Sequence, residues 1–320
     1  MPSPIWPHVE SPFHPGEQEA QQRLGIRDRM EDIGRRMVRA EMPDQHRTLF
    51  EALPWLVVGA ADEAGRLWAT LLTGPPGFVA SPSPSSLAIS ALPAQGDPLS
   101  AAIDVGRSVG LLGIELSTRR RNRANGVVAR RSASGFDVLV EQSFGNCPKY
   151  IQKRDVRLVG ESDEATQSAG HRAAALDGVM TRMLREADTF FLATAAPGSA
   201  HNRGCDVSHR GGRPGFVSVG DDGTAITWPD FEGNYMFNTI GNLLLEPRAG
   251  LVVADFHSGD LLQVTGRAEV IWDGAEVEAF EGAQRLIRMQ VDEALLRPRA
   301  LALRGQLLQV SPFLTGTGVW

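Results

Sequence analysis

A seven-residue pattern that occurs twice is the feature that most constrains this fold. The string TGPPGFV at residues 73–79 returns as GGRPGFV at residues 211–217. Three glycine pairs keep nearly one spacing: Gly77 and Gly215 lie 138 positions apart, and Gly110 and Gly250, like Gly126 and Gly266, lie 140 apart. Chance does not easily maintain that register, so the sequence predicts two copies of one domain. Their interface is a natural place for a ligand.

Composition excludes several function classes. The chain has 320 residues, enough for about two domains. A net charge of -6 disfavours binding to nucleic acid or to an acidic membrane surface, and the apolar runs are too short to span a bilayer. Two cysteines, Cys147 and Cys205, are too few for a disulfide framework, and the first residues do not resemble a signal peptide. We therefore expect a cytoplasmic protein with reduced thiols.

Hydrophobic patterning divides the chain into four segments. We expect an N-terminal helical extension at residues 1–52, a first β-barrel domain at 53–160, a linker helix at 161–188 and a second β-barrel domain at 189–320. Ile26, Met30, Ile33 and Met37 recur at the spacing of an amphipathic helix in the extension. Short alternating runs bounded by Gly, Pro, Asp and Ser indicate strands in both barrels.

The same patterning places the individual elements. Strands are predicted at 56–60, 67–72, 77–80, 87–89, 111–116, 126–131 and 135–143, and again at 190–195, 215–219, 225–228, 251–255 and 261–271. Helices are predicted at 44–52, 99–107, 163–187 and 233–245. Many short strands at this spacing favour a closed or partly closed barrel over a parallel sheet.

Two motifs match known sites poorly. The string GRSVG at 106–110 matches the nucleophile elbow of serine hydrolases, but the elbow requires a strand before Ser108 and a helix after it, and the pattern here predicts the reverse. His201, Cys205 and His209 could be drawn as zinc ligands. On a strand, however, residues four positions apart lie too far apart to converge, so we predict no metal site.

A run of arginines is a candidate anion site. Arg119, Arg120, Arg121 and Arg123 lie within residues 118–126, which we expect at a hairpin turn. Guanidinium groups there could converge on a phosphate. The alternative is a solvated turn whose charges protect a sheet edge from aggregation.

A second candidate begins where a strand leads into a helix at residues 228–242. Asn234, Asn238 and Asn242 repeat at four-residue intervals on one helical face, which is costly in a core unless each amide is bonded. A ligand at the helix start would explain them. Capping of the helix and bonds to loop carbonyls are the alternative.

Longer motifs resemble a known family. They are MPDQHR at 42–47, GPPGF at 74–78, FGNCPKYIQ at 144–152, DVSHRGGRPGF at 206–216, GNYMFNTIGN at 233–242 and LQVTGR at 262–267. Together they span nearly the whole chain and resemble the FMN-binding split barrel of the pyridoxamine 5'-phosphate oxidase-like superfamily, in a tandem-barrel branch. The resemblance implies a mainly β fold with two tandem split β-barrels that form a pseudo-dimer within the chain, after an N-terminal helical extension.

The resemblance also implies FMN as the cofactor, with its phosphate beside one barrel and its ring at the seam with the other. Arg210, Arg213 and Lys149 could then neutralise the phosphate, and Trp228 or Tyr235 could stack on the ring. The full predicted set is Arg119, Arg121, Arg123, Asn146, Lys149, Tyr150, Gln152, Ser208, His209, Arg210, Arg213, Trp228, Asp230, Asn234, Asn238, Asn242 and Gln263. Because the loop at 210–213 is basic and its counterpart in the first copy is neutral, we expect one FMN per chain.

The implied function is that of an FMN-dependent oxidoreductase passing hydride or electrons to a small molecule or a redox protein. Pyridoxamine phosphate is disfavoured as substrate, because we find neither the Arg-Lys phosphate pair nor the Arg-x-His substrate motif of that oxidase. Catalytic residues are not assigned. A non-catalytic flavin or haem binder, a separate reductase partner and a homodimer of chains stay open.

Overall fold

The computed structural model describes residues 5–159 and 170–320. Over these ranges the chain forms two large antiparallel sheets, one two-stranded ribbon and six α-helices. The helices are α1 Pro15–Arg23, α2 Arg27–Met37, α3 Asp44–Ala52, α4 Gly178–Glu186, α5 Asn238–Leu245 and α6 Ala275–Ala279. The strands of the first half are β1 Trp55–Ala61, β2 Leu67–Thr73, β3 Val79–Ser83, β4 Ser86–Ile89, β5 Ser108–Glu115, β6 Arg120–Arg131, β7 Phe136–Gly145 and β8 Lys153–Leu158. Those of the second half are β9 His171–Ala173, β10 Thr189–Ala196, β11 Gly204–Gly211, β12 Ser218–Val219, β13 Ala225–Phe231, β14 Arg248–Ala254, β15 Leu261–Ile271, β16 Ala283–Arg297 and β17 Leu303–Gln309.

The two large sheets share one strand order. The first runs β2-β1-β5-β6-β7-β4-β3 and the second runs β11-β10-β14-β15-β16-β13-β12, so each strand has a counterpart numbered nine higher. β9 adds to β16, and β8 pairs with β17 in the ribbon. The predicted mainly β fold with two tandem barrels is confirmed.

Two of the repeated glycines explain how the barrels pack. A Cβ atom at Gly110 on β5 would lie 2.6 Å from the Cα atom of Asp206 on β11, and one at Gly250 on β14 would lie 2.2 Å from the carbonyl oxygen of Leu67 on β2. Only glycine permits such close backbone approach. The two crossings are equivalent, so the halves meet as a pseudo-dimer.

Three apolar clusters stabilise this arrangement. Trp68 lies in the core of the first barrel and Trp228 in that of the second. Trp55, Phe191 and Val207 belong to a third cluster between the barrels. Burial of these large side chains is the main favourable contribution to such an interface.

The N-terminal extension covers both halves. Phe13 and Met30 pack with Phe144 of β7 and with Met236, which precedes α5. The predicted amphipathic helix is α2, and the predicted helix at 44–52 is α3. The extension therefore reaches the second barrel as well as the first. No helix in the described ranges has the length and apolarity needed to cross a bilayer.

The predicted helix at 99–107 is wrong. The segment forms turns instead, in which the Asp97 carboxylate accepts a hydrogen bond from the Leu99 N–H and the Gly106 N–H donates to the Val128 carbonyl. These bonds replace the helical ladder. Its counterpart in the second copy, predicted at 233–245, is helix α5, which begins at Asn238.

The predicted linker helix is much shorter than expected. Helix α4 begins at Gly178, where the Asp177 carboxylate accepts bonds from the N–H groups of Val179 and Met180. Before it lies strand β9, and residues 163–169 of the expected helix fall outside the described residues. An aspartate N-cap explains why the helix starts where it does.

Arg119 lies in the predicted hairpin turn, but the other arginines of the run lie on a strand. The turn is formed by the residues before Arg120, and β6 continues from there through Arg131. Alternation along a strand places Arg121 and Arg123 on one face. Strands β8, β9, β11, β16 and β17 have no counterpart among the predicted strand ranges, whereas β15 has the predicted bounds.

Candidate functional site

A cleft lies at the seam between the two barrels, and we call it the seam cavity. Its empty space is about 920 Å³, including the part that opens to solvent. The first copy contributes the start of β6 and the loop after β7, and the second contributes β11, β13 and the start of α5. Its charged and amide lining consists of Arg121, Arg123, Asn146, Lys149, His209, Arg210, Asp230, Asn234, Asn238, Gln284 and Arg285.

Three arginines line the inner end of the seam cavity. We call Arg121, Arg123 and Arg210 the arginine cluster. Arg123 forms an ion pair with Asp206 of the other barrel and donates a second bond of 2.6 Å to the Ser208 hydroxyl. It is 3% exposed. A buried cation of the first copy therefore pairs with a carboxylate of the second.

Arg121 differs from its neighbours because no carboxylate of the described chain pairs with it. Burial, together with the nearby charges of Arg123 and Arg210, lowers the pKa of Arg121 to about 9. Burial likewise lowers the pKa of Arg123, and the Asp206 charge opposes that change. Burying a cation such as Arg121 without a paired carboxylate is unfavourable, and a bound anion would relieve this cost.

Unsatisfied polar atoms concentrate at the same place. Within the described residues, the Nε atoms of Arg121, Arg123 and Arg210 are buried without a hydrogen-bond partner, as are His209 Nε2 and Asn146 Oδ1. Buried polar groups are nearly always bonded in proteins. Five orphans in one cavity indicate hydrogen bonds to a group that the polypeptide does not supply.

Burial and the surrounding arginines lower the pKa of His209 well below its usual value. The ring is therefore neutral at physiological pH. A neutral imidazole offers one donor and one acceptor. The unpartnered Nε2 of His209 therefore adds a hydrogen-bonding group to the cavity lining without adding charge.

Helix α5 begins at the cavity. Asn238, Thr239 and Ile240 of its first turn line the wall, and the Thr239 hydroxyl lies 3.1 Å from that of Ser208. The first N–H groups of a helix have no partner within the helix and favour negative charge. The helix start and the arginine cluster thus act on the same space.

Acidic groups partly balance the outer part of the cavity. Asp230 lies 2.7 Å from Arg285 and 3.6 Å from Arg210, so two guanidinium groups share one carboxylate. Across the mouth, Lys149 of the first copy pairs with Glu232 of the second at 3.1 Å. The Tyr150 hydroxyl donates to the Glu232 carbonyl oxygen, which also joins the two copies.

Most of the predicted residues come together here. The cavity wall includes Arg121, Arg123, Asn146, Lys149, Tyr150, Ser208, His209, Arg210, Asp230, Asn234 and Asn238. Tyr235, considered as a stacking partner, also lines it. Their role as ligands stays a prediction, but their convergence from both copies is a property of the fold.

Six predicted residues lie elsewhere. Arg119 donates to the Ile151 carbonyl, and Gln152 is buried between the Gly212 carbonyl and the Ser311 N–H. Arg213 is exposed, and Trp228 is fully buried in the core of the second barrel. The last two serve other contacts: Asn242 donates to the Thr194 hydroxyl, and Gln263 donates to the Ala69 carbonyl at the opposite seam.

Several lining residues had not been predicted from the sequence. Arg285 is 3% exposed, pairs with Asp230 and has an orphaned Nε atom. Its guanidinium also lies 5.1 Å from the centre of the Phe237 ring. Alternation along β16 could have placed it, but that strand was not predicted. Gln284, Cys147, Phe237 and Thr239 were missed as well.

One family model matches part of the chain. The model, described as "Pyridoxamine 5'-phosphate oxidase", matches residues 176–304, a segment that contains β11, α5 and β16. This part of the chain is therefore similar to that family. The match lies in the second barrel, and the first barrel repeats its strand order.

Several solved structures match part of this chain over nearly their whole length, at low sequence identity. A putative pyridoxamine 5'-phosphate oxidase from Lactobacillus delbrueckii is 16% identical, covering 38% of this chain and 94% of its own, with a TM-score of 0.30. The FAD binding protein from Mycobacterium smegmatis is 12% identical, covering 39% and 98%, with a TM-score of 0.28. HupZ from Group A Streptococcus is 11% identical, covering 42% and 98%, with a TM-score of 0.30. No curated protein matches the sequence significantly.

Proposed function

We propose that this protein binds one FMN in the seam cavity and transfers hydride or electrons to a small molecule or a redox protein. The observation that carries the proposal is the arginine cluster, in which Arg121 has no carboxylate partner among the described residues and three Nε atoms have no acceptor. The cluster lies beside the first turn of α5. Phosphate is the group that such a site binds best.

The charge balance supports a dianion. Arg121, Arg123, Arg210 and Arg285 carry four positive charges, and Asp206 and Asp230 carry two negative ones. The difference is two positive charges. A phosphate monoester has about -1.5 to -2 charges at pH 7 and would neutralise them.

The remaining lining suits the rest of the cofactor. Asn146 and Asn234 offer amide groups for ribityl hydroxyls, and Tyr150, Phe231 and Tyr235 provide aromatic surface for a ring. Bound FMN would supply the hydride or electron transfer itself, and the chain would bind it, orient it and limit access of water.

The opposite seam supports a single site per chain. Gln263 on β15 occupies the place that Arg123 has on β6, since each pairs with the residue two positions after the repeated glycine, Val252 or Leu112. The space there is filled by Asp97, which is 2.7 Å from Arg297 and 2.5 Å from the Thr70 hydroxyl. The Asp97 carboxylate already pairs with Arg297 there, so the Arg297 charge is neutralised within the chain.

An absorption spectrum of the purified protein tests the proposal. We expect flavin bands, FMN in the supernatant after denaturation, and uptake of added FMN by the flavin-free protein. A colourless protein that takes up no FMN would contradict the assignment. Binding of haem in place of FMN would favour the non-catalytic alternative.

Turnover separates an enzyme from a carrier. The holoprotein should oxidise NADH or NADPH, directly or through an added reductase, when an electron acceptor is present. Bound FMN that no reductant reduces would support a binding or sensing role.

A further inference from the structure

Helix α1 of the N-terminal extension crosses helix α5 beside the seam cavity. A Cβ atom at Gly16 would lie 2.1 Å from the Gly241 carbonyl oxygen, and one at Gly241 would lie 2.4 Å from the Glu17 nitrogen. The two helices therefore touch through their backbones. This contact brings Glu17 to the first residue of α5.

Glu17 is buried and its two carboxyl oxygens have separate partners. Its Oε2 accepts a 2.9 Å bond from the His14 N–H, and its Oε1 lies 2.5 Å from Asn238 Nδ2. Glu17 is 3% exposed. Asn238 also lines the cavity, so one amide faces both Glu17 and the proposed ligand.

We propose that the proton on Glu17 decides which end of the Asn238 amide faces the seam cavity. Without the proton, Glu17 accepts from the amide NH₂ and leaves the amide oxygen as the group available to the ligand. With the proton on Oε1, Glu17 donates to Asn238 Oδ1, and the NH₂ group turns to the cavity as a donor. Glu17 is thus a positioning residue for anion binding, and this rests on the proposed function of the site.

The surrounding charges make this proton relevant near neutral pH. The pKa of Glu17 is raised to about 8, mainly by burial and also by the Asp206 charge on β11. The bonds from His14 and Asn238 and the charge of Arg123 on β6 oppose this rise. His14, whose Nε2 lies 3.5 Å from Glu17, has its pKa lowered to about 4 mainly by burial. His14 therefore stays neutral while Glu17 titrates.

The direction of the effect follows. Below about pH 8 Glu17 is neutral, Asn238 presents a donor and the cavity keeps its two positive charges. Above that pH the ionised Glu17 carboxylate adds a negative charge near Arg123. Asn238 then presents its amide oxygen, an acceptor, to the phosphate. Release of one proton to solvent accompanies the change, and FMN affinity falls.

The substitution Glu17→Gln copies the protonated form. A Gln oxygen can accept from the His14 N–H while its NH₂ group donates to Asn238 Oδ1, so both bonds are retained. Glu17→Ala removes both. Glu19→Gln is the matched control, because Glu19 lies on the exposed side of the same helix.

The experiment measures the FMN dissociation constant by fluorescence quenching from about pH 7 to about pH 9.5, where the phosphate charge is constant. Arg121, whose pKa is about 9, also loses charge in this range and weakens binding in every variant. Wild type and Glu19→Gln should therefore weaken about five- to tenfold more than Glu17→Gln does. Glu17→Ala should bind about five- to tenfold more weakly at every pH. Equal pH profiles for wild type and Glu17→Gln would overturn the proposal.

A second readout uses the flavin-free protein. The side-chain amide resonances of Asn238 should shift with pH in wild type and not in Glu17→Gln, and resonances that do not titrate in wild type would also overturn the proposal. This readout does not need FMN. A wild-type protein that binds no FMN but shows the titration would refute the proposed function and leave the role of Glu17 supported.

Discussion

Arg121 and Arg123 are two residues apart on one strand, yet they contribute differently to the protein. Arg123 pairs with Asp206, so its charge is part of the folded structure. Arg121 has no carboxylate partner among the described residues, and its charge is a cost until an anion binds. The charge of Arg121 therefore lowers the stability of the flavin-free protein and, in our proposal, strengthens FMN binding.

Substitution of Arg121 should change FMN affinity and flavin-free stability in opposite directions. Arg121→Met keeps the apolar stem and removes the charge, so we expect FMN binding to weaken by about 1.5–3 kcal/mol, while the flavin-free protein keeps or gains thermal stability. Titration calorimetry and thermal unfolding measure the two quantities. Arg213→Ala is the control, because Arg213 is exposed outside the cavity. Equal loss of affinity in both variants would refute the assigned site.

Arg123→Met should behave differently. It leaves Asp206 buried without its cation, and breaking such a pair costs about 3–5 kcal/mol. We therefore expect a large drop in unfolding free energy without FMN, measured by urea titration. A flavin-free stability equal to that of Arg121→Met would contradict the distinction between the two arginines.

Glu17 gives the pH dependence of stability a definite sign. Its pKa rises from 4.5 to about 8 on folding. Between these values the folded state holds more protons than the unfolded state, so the Glu17 contribution to stability falls as pH rises through this window and is constant above it. Urea unfolding at several pH values should show a smaller decline in Glu17→Gln than in wild type. Identical slopes would place the carboxyl outside a buried environment.

Among the elements, α1 and α5 show how the extension and the site are coupled. Gly16→Ala forces a methyl group against the Gly241 carbonyl, so we expect destabilisation of about 1–3 kcal/mol and weaker FMN binding. Gly178→Ala is the matched control, since a Cβ atom at that first position of α4 meets no atom within 4 Å. Thermal unfolding and FMN titration compare the two. A neutral Gly16→Ala would mean that the extension does not position α5.

The elements also mark where sequence reasoning succeeds and fails. Alternation along β15 and the amphipathic spacing of α2 are local properties, and they predicted both elements. The helix expected at 99–107 fails because Asp97 is held by the opposite barrel, through Gln263 and Arg297, and bonds the Leu99 N–H instead. Tertiary contacts of that kind have no signature within a short window.

The candidate site was predicted in part for the same reason. The repeated motifs and basic side chains predicted that Arg121, Arg210 and the start of α5 meet at a seam. Glu17 was missed because its importance depends on Asn238, which lies 221 positions away in the sequence and is brought close by the contact between Gly16 and Gly241. No pattern in the sequence links the two segments.

For the whole molecule, one chain supplies both sides of the interface, and its two halves have diverged. We propose that the repeated domains at 53–160 and 189–320 arose by duplication, since strand order and glycine register agree. One seam keeps arginines, while the other buries Asp97 against Arg297. This asymmetry supports the proposal that FMN binds at one seam.

The stoichiometry of FMN binding tests this claim most directly. Flavin-free protein of known concentration is titrated with FMN, and bound FMN is counted per chain. We predict one FMN per chain in wild type, unchanged by Gln263→Ala at the opposite seam and strongly weakened by Arg121→Met. Two equivalent FMN molecules per chain, or one whose affinity depends on Gln263 and not on Arg121, would contradict the account.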